Sequence, residues 1–288
     1  MNSTITDLLN RFDCEKLEMQ AQFDIENVIE KSLKQQYTKE NIAQCIACID
    51  YTTLTPRDTE SSVKGFVKSL YTKTAGLNVM PAAICVYPNF AKVVSEGLSG
   101  SGVKTAVVAA AFPASQTFME IKRRECELAI VAGADEVDIV IPVGAMIEGD
   151  YSEVYNELVQ LREVCKDVKL KVILETGELN DIALIYKASL IAIHAGADFI
   201  KTSTGKVTIN ATPNAVYAMA LAIKNYNETF GKKVGLKVAG GVSTTTSAIK
   251  YRAIVSYILG EDWITPELFR IGTSKLLDDA VKSLRSIE

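Results

Sequence analysis

The chain carries lysines at positions 201 and 237, in the stretches DFIKTSTGKV and VGLKVAGG, and an aspartate at 138 in EVDIVIP. Each sits in a short apolar run of the kind that forms a strand, where an ammonium or carboxylate is costly unless something neutralises it. Period-two alternation groups Lys201 with Phe199 and Ser203, and Lys237 with Gly235 and Ala239, while Leu236 and Val238 point the other way. The small neighbours of Lys237 suit a tight interior. Two lysines ~6 Å apart at an effective dielectric near 20 repel by about 2.8 kcal/mol, roughly two pKa units, and desolvation acts in the same direction. A lysine brought from about 10.4 toward 7 attacks a carbonyl as a neutral amine, the first step of Schiff-base chemistry. That route needs protons moved, and Asp138 is the nearest carboxylate in strand order. An isolated strand-end lysine more often snorkels or pairs with a carboxylate. Two on consecutive strands, with an inward aspartate in the same circuit, favour chemistry.

Other polar groups at strand ends are Asp50 and Glu175, either site residues or ion-pair partners of the lysines, and Cys85, read as a pocket wall. His194 is the only histidine, inside the helical stretch IYKASLIAIHAGA, so a Ser-His-Asp triad elsewhere and a multi-histidine zinc site are both excluded. Acid–base chemistry falls to lysines and carboxylates, and no metal or cofactor is expected.

These residues must be positioned by a scaffold, and its pattern repeats eight times. The strand candidates are CIACID (45–50), PAAICVY (81–87), KTAVVAAAF (104–112), EVDIVIP (136–142), KLKVILET (169–176), DFIKTST (198–204), VGLKVAGG (234–241) and RIGTS (270–274). Between them run stretches with apolar residues at helical spacing, such as FMEIKRRECELAIVAGA and DIALIYKASLIAIHAGA. Strand ends recur every ~32 residues, the length of one strand, one helix and two loops. We read the fold as α/β, a (β/α)8 TIM barrel over residues 45–288. An N-terminal helical extension covers 1–44, with a helix cap at Thr38 before KENIAQ. An open doubly wound sheet would place a glycine-rich loop after the first strand, and DYTTLTPRD has no glycine there.

Barrel enzymes build their sites at the C-terminal ends of the strands and often hold phosphate in the loops after strands seven and eight. Here Thr204-Gly205-Lys206 follows strand six, Gly240-Gly241 follows strand seven, and Gly272-Thr273-Ser274 ends strand eight. Free backbone N–H groups and a helix N-terminus favour an anion there, so a small phosphorylated substrate is expected.

Composition removes other classes. With 31 basic and 35 acidic residues interspersed, net charge −4, nothing favours nucleic acid or an anionic membrane surface. No apolar run approaches the ~18 residues of a membrane span. The first twenty residues lack the basic start and apolar core of a signal peptide. We therefore expect a soluble, cytoplasmic protein. Its six scattered cysteines (14, 45, 48, 85, 126, 165) are expected as reduced thiols. Cys45 and Cys48 form a CxxC, but on a strand they would point to opposite faces, which favours packing over metal or redox chemistry.

Taken together, AAICVYP, GADEVDIVIPVGA, KVILETGEL, AGADFIKTSTGK, GLKVAGGV and IGTSKLL resemble the deoxyribose-phosphate aldolase family, Schiff-base aldolases on a (β/α)8 barrel. The resemblance runs from DYTTL to GTSKLL. It implies that Lys201 is the Schiff-base lysine, Lys237 the lysine that lowers its pKa, and Asp138 the proton relay. It also implies that Gly205, Lys206, Gly240, Gly241, Gly272 and Ser274 hold phosphate, and that Asp50, Leu54, Cys85 and Thr204 line the sugar pocket. The implied reaction is reversible cleavage of 2-deoxy-D-ribose 5-phosphate to acetaldehyde and D-glyceraldehyde 3-phosphate, in a homodimer as in many relatives.

The sequence departs from the common bacterial pattern in three places. Ser243 stands where an arginine is frequent, Lys275 replaces a serine and would restore the charge, and the sequence ends at Ser286-Ile287-Glu288 without a tyrosine tail, so slower turnover or another proton donor is expected. A Schiff-base aldolase for another phosphorylated sugar and a non-catalytic barrel are the competing readings.

Overall fold

The structure is a computed structural model that describes residues 2–12 and 17–287; Cys14 and Glu288 lie outside the described residues. The apolar runs become eight parallel strands: β1 (Ile49–Thr52), β2 (Ala83–Val86), β3 (Lys104–Val108), β4 (Glu136–Val140), β5 (Lys169–Ile173), β6 (Phe199–Lys201), β7 (Gly235–Ala239) and β8 (Phe269–Thr273). Each pairs with the next, and β8 returns to β1, closing a barrel in sequence order. The chain is a (β/α)8 TIM barrel.

Alternation along the strands divides the core in two. Outward residues such as Ile84, Val107, Ile139, Val172, Ile200, Leu236 and Ile271 join the helices in one large apolar core. Inward residues of β2 and β3, namely Ala83, Cys85, Ala106 and Val108, form a separate small cluster. The inward positions of the other strands carry the buried ion-pair cluster of the site described below. Gly235 is required in this interior. A Cβ there would lie 2.3 Å from the Phe199 ring on the neighbouring strand.

The helices start on strong local signals. Thr59 and Ser62 cap each other before Glu60–Thr74, and Thr244 and Ser247 do the same before Thr245–Leu259. Thr212 caps Pro213–Phe230, with proline at the first helical position where its missing N–H costs nothing.

The first strand begins later than the sequence pattern indicates. Residues Cys45–Ala47 belong to a helix, Lys39–Ala47, capped by Thr38 accepting from the Asn41 N–H, and only Ile49 onward is extended. Cap and helix periodicity prevail over the strand-like composition of CIACID. Cys45 and Cys48 therefore lie three residues apart on one helical turn, not on opposite faces of a strand, and both are buried. Burial pushes the Cys45 thiol up to about 12, which keeps it neutral and unreactive. The five described cysteines form no disulfide.

Before that helix, Asn2–Leu9, Leu17–Asp24, a π-helical turn at Ile25–Ile29 and Glu30–Gln36 pack on the outside of the barrel helices. Their anchors are polar as well as apolar. Asp24 accepts from the Tyr217 hydroxyl at 2.5 Å, and buried Arg252 reaches both Gln36 and Gln44. No helix among the described residues is long and apolar enough to cross a membrane.

Candidate active site

Cross-strand register brings the two lysines side by side, with Lys201 of β6 opposite Lys237 of β7. Both ammonium groups reach one carboxylate oxygen, Asp138 Oδ2, at 2.8 and 2.7 Å. Asp138 and Lys237 are fully buried and Lys201 nearly so, and the other Asp138 oxygen accepts from Lys171 of β5 at 3.1 Å. The sequence pattern anticipated the first three of these residues as neighbours but passed over Lys171. Its inward position was legible from the alternation in KLKVILET.

Charge pairing continues toward the N-terminal ends of the strands. Lys171 also binds Glu136 at 2.5 Å and Asp50 at 3.4 Å. Lys237 binds Asp50 as well as Asp138. Arg270 of β8 bridges Asp50 at 2.6 Å and Glu136 at 2.8 Å, and its guanidinium lies 5.5 Å from the Phe199 ring centroid. Removing one partner from such a buried cluster leaves an uncompensated charge, which is far more costly than the pair's net contribution.

Within this cluster the lysines differ. Burial pushes Lys201 down, Asp138 opposes that and Lys237 reinforces it, so its pKa is lowered. Burial also acts against the charge on Lys237, but Asp138 and Asp50 outweigh it and its pKa is raised. The same holds for Lys171, raised by Asp138, Glu136 and Asp50 in spite of burial. Asp138 itself is held well below the usual carboxylate range, because Lys171, Lys201 and Lys237 overcome its desolvation. Desolvation thus leads the depression of Lys201, with Lys237 second, the reverse of the order expected from lysine repulsion alone.

Above the cluster the barrel opens into a cavity of about 660 Å³ at the C-terminal ends of the strands, with Lys201 at its floor. It is lined by Leu54, Thr204, Gly205, Lys206, Gly240, Gly241, Gly272 and Ser274, all singled out in the sequence, and by Ser243 and Lys275. Asp50, Cys85, Asp138 and Lys237 do not line it; they lie buried beneath or beside Lys201. Cys85 is a wall of the small apolar cluster, its thiol pushed up by burial. Asn210 was missed by sequence reasoning, for it follows β6 by nine residues with no strand to mark it. Its side chain packs so closely on Gly240, φ 86°, that a Cβ there would lie 2.4 Å from Asn210 Oδ1.

Glu175 does not pair with the lysines. It accepts from the Thr204 N–H at 3.0 Å and hydroxyl at 2.6 Å, tying the end of β5 to the loop that carries Thr204-Gly205-Lys206. The reason is conformational: Glu175 adopts a left-handed backbone, φ 54°, which breaks the strand alternation that would have aimed it inward. Lys206 reaches across the mouth to the Leu54 carbonyl.

Such a site can bind an anion at its rim and present an amine of lowered pKa at its floor. Comparisons with known proteins give the family. A family model described as DeoC/LacD family aldolase matches residues 44–257. The deoxyribose-phosphate aldolases of Mus musculus and Homo sapiens are 38% and 37% identical over 266 and 268 residues, in each case 88% of this chain and 84% of theirs. The solved structure of the tetrameric deoxyribose phosphate aldolase from Aeropyrum pernix superposes with a TM-score of 0.67 and 26% identity, over 90% of this chain and 99% of that one. With its matched residues spanning β1 to β7 and its register closing the same barrel, the chain belongs to the DeoC/LacD aldolase family.

Proposed function

We propose that the chain is a class I aldolase that reversibly cleaves 2-deoxy-D-ribose 5-phosphate to acetaldehyde and D-glyceraldehyde 3-phosphate. The observation that carries this reading is a single buried lysine with a lowered pKa at the floor of an open cavity, beside a carboxylate and a second, charged lysine.

In the cleavage direction the neutral Lys201 amine attacks the C1 aldehyde of the open-chain sugar. Loss of water from the carbinolamine gives a protonated imine, an electron sink for the bond two atoms away. Acetaldehyde keeps two carbons, so the bond that breaks is C2–C3. The C3 hydroxyl gives up its proton and becomes the aldehyde of glyceraldehyde 3-phosphate, and the electron pair moves into an enamine. Protonation at C2 and hydrolysis release acetaldehyde and restore the amine.

Asp138 is the carboxylate within hydrogen-bond reach of the reacting nitrogen. That contact places it to relay protons to and from the nitrogen, while Lys237 on the same oxygen stays protonated and keeps a positive charge beside the reacting amine. At the rim, Gly205, Lys206, Gly240, Gly241, Gly272 and Ser274 offer backbone and side-chain donors to the phosphate. Lys275 contributes a positive charge beside Ser243. Leu54 and Thr204 border the sugar; Asp50 and Cys85 act from beneath. A cytoplasmic location and a homodimer are part of the same proposal, and sedimentation distinguishes a dimer from a tetramer.

The test is borohydride reduction in the presence of acetaldehyde, followed by peptide mass spectrometry. We expect an ethyl adduct on Lys201, and an unmodified Lys201 at every pH sinks the Schiff-base assignment.

A further inference from the structure

Six charges inside the barrel form a balanced set of ion pairs, and Lys201 is attached to it. Lys171, Lys237 and Arg270 carry three positive charges; Asp50, Glu136 and Asp138 carry three negative charges, and these six are joined by a continuous chain of ion pairs. Lys201 is attached to this closed set by one contact, to Asp138. We propose that Glu136 and Arg270, which never reach the cavity, are positioning residues for the reacting lysine. They complete a buried ion-pair set that sums to zero, so that neutralising either one changes the field at Lys201.

Of the titratable groups around Lys201, six belong to this count and two lie outside it. From β4 come Asp138 and Glu136, from β5 Lys171, from β7 Lys237, from β8 Arg270 and from β1 Asp50. Cys85 of β2 is held neutral by burial. Glu175, at the end of β5, is hydrogen-bonded to Thr204 and acts on Lys201 through space from outside the ion-pair set, equally in every variant below. Arg270 is fixed by contacts other than its carboxylates, since it rests on the Phe199 ring and donates to the Pro266 carbonyl. A guanidinium cannot give up its proton in a protein, so the charge at this position is permanent.

The inference rests on the Schiff-base reading and deepens it. A unit charge ~10 Å away at an effective dielectric near 20 moves a pKa by roughly one unit. Arg270→Gln leaves the set at net negative and should raise the pH midpoint of adduct formation on Lys201 by about one unit. Glu136→Gln leaves it net positive and should lower the midpoint by about the same amount. The double variant Glu136→Gln/Arg270→Gln is balanced again and should return close to the wild-type midpoint. Arg270→Lys keeps the charge and should keep the midpoint.

The experiment is the pH profile of borohydride-trapped acetaldehyde adduct on Lys201 in the four variants, each checked for folding by circular dichroism. Shifts of opposite sign that cancel in the double variant support the proposal; a purely structural role lowers adduct yield without moving midpoints in opposite directions. Shifts of the same sign, or none, overturn it. If Arg270→Gln does not fold, Glu136→Gln with Arg270→Lys decides: a lowered midpoint in the first and an unchanged one in the second support it, and any other pair of results overturns it. Absence of adduct in the wild type at every pH would instead refute the Schiff-base reading itself.

Discussion

Replacing Lys237 by leucine removes the charge nearest the reacting amine. Because both ammonium nitrogens contact Asp138 Oδ2, at 2.8 and 2.7 Å, they stand at most about 5.5 Å apart. At an effective dielectric near 20, that separation corresponds to a repulsion of at least about 3 kcal/mol, or roughly two pKa units. The substitution also leaves Asp138 and Asp50 with one fewer cation, which favours protonated Lys201 further. The midpoint for adduct formation on Lys201 should therefore move upward by two units or more, and at neutral pH the rate should fall on the order of 100-fold. The assay is single-turnover borohydride trapping with acetaldehyde across the pH range, in wild type and Lys237→Leu, with adduct counted by peptide mass spectrometry. A correctly folded variant whose midpoint stays within about half a unit of wild type would refute the reasoning. Desolvation alone would then be depressing Lys201.

Two further outcomes follow from the same geometry. The pKa of Lys201 is lowered in the folded state, so between that value and the ordinary ~10.4 the unfolded chain binds more protons and stability rises with pH. Lys201→Met should accordingly be more stable than wild type, most of all below the folded pKa, with the gain shrinking as pH rises toward ~10; a pH-independent difference in melting temperature contradicts this. At the rim, Lys275→Ala should raise KM for deoxyribose 5-phosphate by about tenfold, as expected for loss of one charge-assisted contact, and leave the slow cleavage of unphosphorylated deoxyribose unchanged. Equal losses on both substrates would remove Lys275 from the phosphate end.

The deepest part of the site was the least legible in the chain. Lys201, Lys237 and Asp138 stood out because each interrupts an apolar run, and alternation aimed all three inward. The same alternation places Lys171 with Asp138's partners and Arg270 opposite Lys237. Yet nothing local distinguishes a lysine that saturates two carboxylates from one that attacks an aldehyde. That difference depends on how many opposite charges lie within ~4 Å after the barrel closes. Lys171 meets three carboxylates, Lys201 one.

Glu175 and the CIACID run show the same limit from the backbone side. A left-handed residue at the end of β5 and a helix cap at Thr38 each redirected side chains whose types pointed elsewhere.

What the sequence determined by itself was the repeat of strand and helix, and with it the barrel, since hydrophobic periodicity and caps are local properties that each segment carries alone. It also determined which residue types could meet at the strand ends. Only the tertiary structure decided which lysine has its pKa lowered, which carboxylates are already satisfied and which residues face the open cavity. Those are through-space matters: desolvation and Coulomb energy depend on distances between strands far apart in the sequence, and these exist only once β8 has paired with β1.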